Sequence, residues 1–299
     1  MIPDISCEIA GVKFKNPVIA ASGTFGFGEA YADIFDAGIL GGICTKGLTL
    51  NPKSGNTGMR LHETPQGLLN SIGMENPGVE KFIGEKLPSM LKIGSVIIAN
   101  LGGNSIADYV QGAILLDNTD ICMIELNISC PNVKEGGMLF GLDPKCASDV
   151  TAAVRKATTK PLIVKLSPNA PDLISVAIEC VKAGADALSL VNTFKAMAID
   201  IEKRKMVFDN ITAGLSGPSI RPIALRMVYE VAHAVSVPVI GIGGIDSVEA
   251  AIEFLCAGAC AVEVGSATFA NPYTMAEIIN SLSSYMKSRN IMTIKEFAV

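Results

Sequence analysis

Histidine is scarce in this sequence, with only His62 and His233 among 299 residues. This scarcity disfavours histidine-based metal sites and makes a Ser-His-Asp or Cys-His catalytic device hard to assemble. The eight cysteines include no C-x-x-C pair, which disfavours a zinc or iron–sulfur site. We therefore expect no metal in this chain and mostly buried, reduced thiols.

Long apolar runs and basic clusters are also lacking. No apolar run approaches the roughly 18 to 20 residues that cross a bilayer, and the N-terminal segment has neither the basic nor the apolar region of a secretion signal. A net charge of −5 and a pI near 5.2 disfavour nucleic acid as a partner. We expect a cytoplasmic protein that binds neither membrane nor nucleic acid. The composition is still compatible with binding of a small anionic ligand.

The apolar content is high, at 49% with a mean hydropathy of +0.42. Such a composition suits a parallel sheet that is covered on both faces. A parallel α/β barrel of roughly 250 residues would use nearly all of the chain. We expect residues 1–299 to form a single domain.

Short Val- and Ile-rich runs alternate with helical patterns, which is typical of repeated βα units. Eight strands are predicted, within residues 16–22, 41–47, 95–102, 122–129, 161–167, 187–193, 238–244 and 261–267. The predicted helices that follow them are 29–36, 78–91, 105–117, 143–157, 171–183, 219–235, 246–257 and 272–287.

Eight such units favour closure into a (β/α)8 TIM barrel. Residues 5–14 alternate around Ala10-Gly11 and predict a hairpin that plugs the bottom of the barrel. The connections 48–77 and 194–218 are long enough to be functional or to carry their own structure. The alternative, an open doubly wound sheet, would place its phosphate loop after the first strand, where SGTFGFG is followed directly by Glu29.

Polar residues gather at the C-terminal ends of the predicted strands, which converge on one mouth in a barrel and there form the usual active site. They are Ser22, Lys46, Asn100, Asn127, Ser129, Lys165, Asn192, Thr193 and the pairs Gly243-Gly244 and Gly265-Ser266.

The two glycine-containing pairs follow neighbouring strands. Each can bring bare backbone N–H groups close to a phosphate, with the helices from Asp246 and Asn271 adding their N-terminal dipoles. Each pair alone is equally well read as a tight turn. Together they favour the phosphate of a mononucleotide.

Lys165 lies inside a strand, where a charge without a partner is costly. Glu125 or Glu263 would pair with it structurally, or it would stabilise negative charge on a reduced flavin. Lys46 would serve a flavin and a substrate, or be an exposed loop lysine. We expect His233 to be structural, and His62 belongs to the long second loop.

Cys130 follows the fourth strand in NISCPNVKEGG, a loop unlike the apolar settings of Cys44, Cys122 and Cys260. A thiolate there would abstract a carbon-bound proton if its pKa, about 8.5 in a free cysteine, is met or lowered by nearby donors. Composition alone favours a buried, inert thiol.

Several stretches resemble the dihydroorotate dehydrogenase family, in its soluble class: NPVIAASGTFGFG, TKGLTLNPKSGNTGMRLHETPQGLLNSIGMENPG, ELNISCPNVKEGG, VKLSPNA, LVNTF and GIGGIDSVEAAIEFLCAGACAVEVGSA. The resemblance covers essentially the whole chain. It implies that FMN is held by Ser22, Lys46, Gly47, Asn100, Asn127, Lys165, Val191, Gly217, Gly243, Gly244, Gly265 and Ser266. The implied substrate pocket consists of Lys46, Asn70, Ser71, Ile72, Gly73, Met74, Asn127, Asn192 and Thr193.

The resemblance also implies a reaction, the oxidation of (S)-dihydroorotate to orotate in de novo pyrimidine (UMP) biosynthesis. Cys130 would remove the C5 proton while hydride passes from C6 to FMN. Relatives that reduce membrane quinones use Ser as the base and carry an N-terminal membrane segment. The matching residue here is Cys, so we expect no direct transfer to quinone.

Two soluble subclasses stay open. One is a homodimer that reduces fumarate; the other (class 1B) relays electrons to NAD through a partner subunit that carries FAD and a 2Fe-2S cluster. GLTLNPKSGNTGMRLHETPQG resembles the second. This chain has no cysteine spacing that would bind an iron–sulfur cluster, and its first βα turn is not of the type that binds NAD. We therefore expect the partner subunit to supply those cofactors. The resemblance implies a heterotetramer of two catalytic and two electron-transfer subunits.

Two other functions remain as alternatives. A related flavin barrel would oxidise another dihydropyrimidine, such as dihydrouracil. A non-catalytic barrel would bind a phosphate ligand and leave Cys130 without a role.

Overall fold

Eight parallel strands close into a barrel, as the repeated βα pattern predicts. The computed structural model describes residues 2–129 and 140–299. The strands in these two ranges are β1 (Cys7–Ile9), β2 (Val12–Phe14), β3 (Val18–Ala20), β4 (Gly42–Cys44), β5 (Leu61–Thr64), β6 (Gly67–Asn70), β7 (Val96–Leu101), β8 (Met123–Asn127), β9 (Leu162–Lys165), β10 (Ala187–Leu190), β11 (Phe194–Met197), β12 (Ile199–Asp200), β13 (Lys205–Met206), β14 (Thr212–Ser216), β15 (Val239–Ile242) and β16 (Ala261–Val264). The barrel runs β3-β4-β7-β8-β9-β10-β15-β16 and closes where β16 pairs with β3.

Helices surround the barrel. Over the same two ranges they are α1 (Val79–Lys81), α2 (Leu87–Met90), α3 (Ile106–Asp117), α4 (Pro144–Arg155), α5 (Leu173–Lys182), α6 (Arg221–Ala234), α7 (Val248–Cys256), α8 (Ala267–Ala270) and α9 (Thr274–Arg289). A side chain accepts a hydrogen bond from a backbone N–H at the start of α3, α4, α5 and α7, through Ser105, Asp143, Asp172 and Ser247. These are the residue types that favour helix starts, which explains why these four helices were predictable.

The first predicted helix, residues 29–36, is wrong. Within that range the structure has only a 3-10 turn at Glu29–Tyr31, and a second 3-10 turn follows at Ala37–Ile39. Two residues explain these short turns. Gly28, which precedes the first turn, has a left-handed φ of 89°. The side chain of Asp36 accepts a hydrogen bond from Gly38 N and so starts the second turn. Phe25 and Tyr31 stack with ring centroids 4.2 Å apart, and both are buried in the main hydrophobic core.

The second predicted helix, 78–91, is interrupted. A π-helical turn at Phe82–Lys86 separates α1 from α2. Pro88, at the start of α2, has no backbone N–H to donate to the preceding turn. The eighth predicted helix, 272–287, lies at Thr274–Arg289 and is preceded by the short α8, directly after Ser266.

The predicted N-terminal hairpin is present as β1 paired antiparallel with β2. Ile9 and Phe14 are buried in one cluster with one side chain from each of the eight barrel strands. Those side chains are Ile19, Cys44, Ile98, Met123, Ile163, Ala187, Ile240 and Ala261. The hairpin therefore closes one end of the barrel with an apolar layer.

The inward-facing residues become polar toward the other end of the barrel. Side chains two positions apart on a strand share a face, so Met123 is followed inward by Glu125, Ile163 by Lys165, and Ala261 by Glu263. All three charged residues are buried. The strand sequences thus place an ionic layer directly above the apolar one.

The two long connections form a structure of their own, as the sequence suggested. Strands β5 and β6 of the first pair with β14 and β11 of the second in a four-stranded antiparallel sheet, in the order β11-β14-β6-β5. Strands β12 and β13 form a separate antiparallel pair. This sheet belongs to the C-terminal mouth of the barrel, because its strands contribute to the walls of the cavity there.

Within the described ranges, every helix is too short or too polar to traverse a lipid bilayer.

Candidate functional site

A cavity of about 1200 Å³ lies at the C-terminal ends of the barrel strands. Its walls come from the barrel and from the inserted sheet. They include nearly all of the site residues expected from the sequence: Ser22, Lys46, Gly47, Asn70, Ser71, Ile72, Gly73, Met74, Asn127, Lys165, Val191, Asn192, Thr193, Gly217, Gly243, Gly244, Gly265 and Ser266. Residues separated by more than 240 positions in the chain therefore meet around one space.

Two expected residues are not part of the described wall. Asn100 is fully buried behind the cavity, where its side chain accepts from Asn127 Nδ2 at 3.5 Å and donates to Glu125 Oε1 at 2.6 Å. Cys130 lies outside the described residues. The structure therefore places Asn100 as a support for Asn127.

The glycines form one end of the cavity. Gly217, Gly243 and Gly244 have φ values of 103°, 132° and 70°, a range that favours glycine. A Cβ at Gly244 would approach the carbonyl oxygen of Gly217 to 2.7 Å, whereas a Cβ at Gly265 would meet nothing closer than 3.7 Å. The close approach at Gly244 requires glycine. At Gly265 there is open space over the backbone that precedes α8. This end suits a phosphate group bound by backbone N–H groups.

Amides and a hydroxyl form the centre of the cavity. Ser129 Oγ donates to Asn127 Oδ1 at 2.7 Å, and Asn192 Nδ2 donates to Ser129 Oγ. Asn192 Oδ1 in turn accepts from the backbone N–H of Thr193 at 2.8 Å. These contacts fix amide groups that both donate and accept, which suits a ligand with imide and carboxylate groups.

The 70–74 loop is held by both insertions. Asn56 Nδ2 donates to the carbonyl and hydroxyl oxygens of Ser71, both at 3.1 Å, and Asn210 Nδ2 donates to the same hydroxyl at 3.3 Å. Asn70 Nδ2 donates to Gly214 O at 3.1 Å. The sequence reasoning missed Asn56 and Asn210; asparagines within long connections near a predicted barrel mouth were the only available signal.

Lys165 lies on the floor of the cavity between two carboxyl groups. Its Nζ is 3.4 Å from Glu125 Oε1 and 3.1 Å from Glu263 Oε2. The sequence left open whether Lys165 pairs with a glutamate or faces a ligand. The structure shows that it does pair with both glutamates, while it also lines the cavity.

The charges in this group perturb one another. Burial alone would lower the pKa of Lys165, but the two glutamates outweigh that effect and hold it above its usual value. Burial opposes ionisation of Glu125 as well, yet Lys165 and neighbouring hydrogen-bond donors keep the pKa of Glu125 below its usual range. For Glu263, burial and the charge of Glu125 raise the pKa to about 8.

Lys46 is a second cation in the cavity wall. Burial lowers its pKa, and Glu75 only partly opposes this because Arg60 acts in the same direction as burial. Glu75 is itself paired with Arg60 at 2.6 Å, and no carboxylate of the described ranges forms an ion pair with Lys46. An anionic ligand would therefore find a partly desolvated ammonium group here.

Neither histidine lines the cavity in the described structure. His62 lies on β5 with its ring edge-on to Phe208, at 6.4 Å between ring centroids. His233 packs against Tyr229 in α6 and hydrogen-bonds to its carbonyl oxygen. The expectation that His233 is structural agrees with these contacts.

Known proteins resemble the chain over nearly its whole length. The family model described as dihydroorotate dehydrogenase matches residues 4–286. Three relatives named dihydroorotate dehydrogenase B (NAD(+)), catalytic subunit, are similar to it. The protein of Petrotoga mobilis is 59% identical over 293 residues, which is 98% of each chain. That of Geotalea daltonii is 51% identical over 295 residues, 98% of this chain and 97% of its own. That of Pelobacter propionicus is 49% identical over 297 residues, which is 99% of this chain and 98% of its own.

We predict that Lys165→Met destabilises the fold by about 3–5 kcal/mol at neutral pH, because it leaves buried carboxyl groups without their cation. Loss of the cation raises the carboxyl pKa values in the folded state above those of the unfolded chain. The deficit should therefore shrink as the pH falls toward about 4.5. Denaturant unfolding at pH 7.5 and pH 5 measures both effects.

The matched control is Lys195→Met, which removes an exposed lysine from the rim of the same cavity. This change should alter stability by less than about 0.5 kcal/mol. A Lys165→Met protein as stable as the control at pH 7.5 would contradict the assignment of the ion pairs.

Proposed function

We propose that this chain, which belongs to the dihydroorotate dehydrogenase family, is the catalytic subunit of an NAD-linked enzyme that oxidises (S)-dihydroorotate to orotate in pyrimidine biosynthesis. The main support is the identity of 59% over 98% of both chains to a catalytic subunit of that name. The cavity agrees with this function because it combines a phosphate-binding end, an amide-lined centre and two lysines.

FMN is the cofactor that we propose for this cavity. Gly217, Gly243, Gly244, Gly265 and Ser266 would hold its phosphate through the backbone. The ring system would lie along Ser22, Lys46, Gly47, Asn127, Lys165 and Val191, with Asn100 acting from behind Asn127. The residues present fit such a group: glycine is required where a Cβ would collide with Gly217 O, and an ammonium group is fixed at the cavity floor.

Dihydroorotate would occupy the amide-lined part of the cavity. Asn127, Asn192 and Thr193 offer donors and acceptors to its ring, and the 70–74 loop (Asn70, Ser71, Ile72, Gly73 and Met74) covers it from the inserted sheet. Lys46 supplies a cation for the substrate carboxylate, because the described structure gives it no carboxylate partner. Two insertions fix the loop through Ser71, so the pocket is largely formed before substrate arrives.

Cys130 is the proposed base that takes the proton from C5 of dihydroorotate. FMN, when bound, accepts the hydride from C6. A thiol at this position suits proton abstraction near neutral pH, since its free pKa of about 8.5 is close to the working range. Lys165 places a positive charge at the floor of the cavity, where it favours the arrival of negative charge.

A separate electron-transfer subunit is implied by the words catalytic subunit in the names of the relatives. We propose that this partner carries FAD and a 2Fe-2S cluster and passes electrons to NAD, in a heterotetramer of two subunits of each kind. The spacing of the cysteines in the sequence is unlike that of a cluster site. Cytoplasmic localisation is part of the same proposal.

Anaerobic addition of dihydroorotate to the purified FMN-loaded chain should bleach the flavin absorbance. Cys130→Ser should slow the bleaching by about 10²–10⁴-fold at neutral pH, because a hydroxyl ionises far less readily than a thiol. Stopped-flow absorbance measures the rate. Cys256→Ala, which removes a thiol on α7 that is not part of the cavity wall, serves as the control that should bleach normally.

If Cys130→Ala still allowed substrate to reduce the flavin fully, Cys130 would not be the base. Bleaching by dihydrouracil in place of dihydroorotate would instead assign the chain to another dihydropyrimidine.

The partner proposal has its own assay. The chain alone, once reduced by dihydroorotate, should transfer no electrons to NAD, and co-expression with an electron-transfer subunit should yield a complex that forms NADH. Absorbance of NADH measures this transfer. Turnover by the chain alone with fumarate as acceptor would contradict the NAD-linked assignment.

A further inference from the structure

The two glutamates beside Lys165 have very different hydrogen-bond environments. Glu125 Oε1 accepts from Asn100 Nδ2 at 2.6 Å, from Cys44 Sγ at 3.1 Å and from Lys165 Nζ at 3.4 Å. Its other oxygen accepts from Ser189 Oγ at 2.7 Å. Four donors therefore stabilise a negative charge on Glu125.

Glu263 has much less support. Its Oε2 accepts from Lys165 Nζ at 3.1 Å, and its Oε1 is buried without a partner among the described residues. The side chain is fully buried. An ionised carboxylate with a bare oxygen in such a place is costly, so the geometry disfavours a charge on Glu263.

The charge count leads to the same conclusion. One ammonium group, on Lys165, faces two carboxyl groups, so two ionised glutamates would leave an uncompensated negative charge inside the barrel. One carboxyl oxygen of Glu125 lies within 4.8 Å of one carboxyl oxygen of Glu263, and at this distance repulsion between two negative charges keeps a proton on one of the two groups. Because Glu125 has the donors, that proton belongs to Glu263.

We propose that Glu263 is a buried, protonated glutamic acid at neutral pH and a positioning residue for Lys165, so that Lys165, Glu125 and Glu263 together carry no net charge beneath the cavity. Ionised Glu125 fixes the ammonium group electrostatically. Neutral Glu263 fixes it on the other side by accepting a hydrogen bond, without adding a second negative charge.

Among the residues that the structure describes, the other groups around Glu263 do not offer an alternative cation. The described titratable side chains that face it are Lys165, Glu125 and Cys44. Lys165 Nζ is 3.1 Å from Glu263 Oε2, and Cys44 Sγ and a carboxyl oxygen of Glu125 lie within 4.8 Å of one of its oxygens. Burial raises the pKa of Cys44 well above its usual value, so this residue stays a neutral donor to Glu125. The flanking strands, β3 and β15, consist of Val, Ile, Ala and Gly only.

The consequence for catalysis rests on the proposed function. A cavity that receives a hydride gains negative charge, and a neutral cluster beneath it opposes that charge less than a cluster with a net charge of −1. Above a pH of about 8, where Glu263 loses its proton, flavin reduction should become less favourable. The bound flavin of Glu263→Gln should lack this alkaline dependence.

Infrared spectroscopy tests the proposal directly. At pH 6.5 the protein should show the C=O stretch of a protonated carboxyl group, and this band should be absent in Glu263→Gln and should disappear from the wild-type protein as the pH is raised through about 8. Loss of the band in Glu125→Gln but not in Glu263→Gln would overturn the proposal, as would its absence from the wild-type protein. If Glu263→Gln does not fold, wild-type protein labelled with ¹³C-glutamate gives a fallback measurement: the absence of a carboxyl band that shifts with the label and titrates near pH 8 would overturn the proposal.

The pH dependence of stability gives a second readout, because only a protonated Glu263 makes the stability difference change between pH 4.5 and 8. A folded-state pKa near 8, above the unfolded value of 4.5, makes the wild-type protein lose stability relative to Glu263→Gln as the pH rises from about 4.5 to 8. The ratio of the two unfolding equilibrium constants should change by up to about tenfold per pH unit. Glu80→Gln, at an exposed position, is the control and should show no such trend.

If Glu263 were ionised and needed by Lys165, its pKa in the folded state would lie below 4.5, Glu263→Gln would be less stable by a constant amount between pH 4.5 and 8, and the proposal would be wrong. Neither readout requires bound flavin or turnover. A chain that binds no FMN but shows the titrating carboxyl band would therefore refute the proposed function and leave this inference standing.

Discussion

The ammonium group of Lys165, held between Glu125 and Glu263 in the middle of the barrel, is the interaction on which the site depends. A charge at this depth is tolerated only because carboxyl groups from β8 and β16 reach it from both sides. The apolar layer below, closed by the N-terminal hairpin, keeps water from that side. The cation is thereby directed at the one open side, the cavity floor.

Barrel closure explains how so few charged residues create a site. Parallel strands all present their C-terminal ends to the same mouth, so one polar residue per strand is enough to line a cavity. The insertions add what the barrel lacks. Their antiparallel sheet carries the 70–74 loop and holds it through Asn56 and Asn210, which gives the pocket a wall opposite the glycine end.

The sequence predicted the elements better than their contacts. All eight barrel strands were predictable because each is a short apolar run that ends in polar residues, and four helices begin with a capping Ser or Asp. The first helix failed because Gly28 and Asp36 impose local turns that override helical periodicity. Pairing between β6 and β14 joins residues more than 140 positions apart, and no local pattern encodes it. For the same reason, the sequence left the partners of Lys165 open, and it gave no sign that Asn100 supports Asn127 from behind.

A crystal structure of the FMN-loaded chain tests the central claim most directly. We expect the phosphate against the backbone of Gly244 and Ser266, and an edge of the ring system within hydrogen-bonding distance of Lys165 Nζ. A flavin bound elsewhere on the protein, or a ring remote from Lys165, would contradict it.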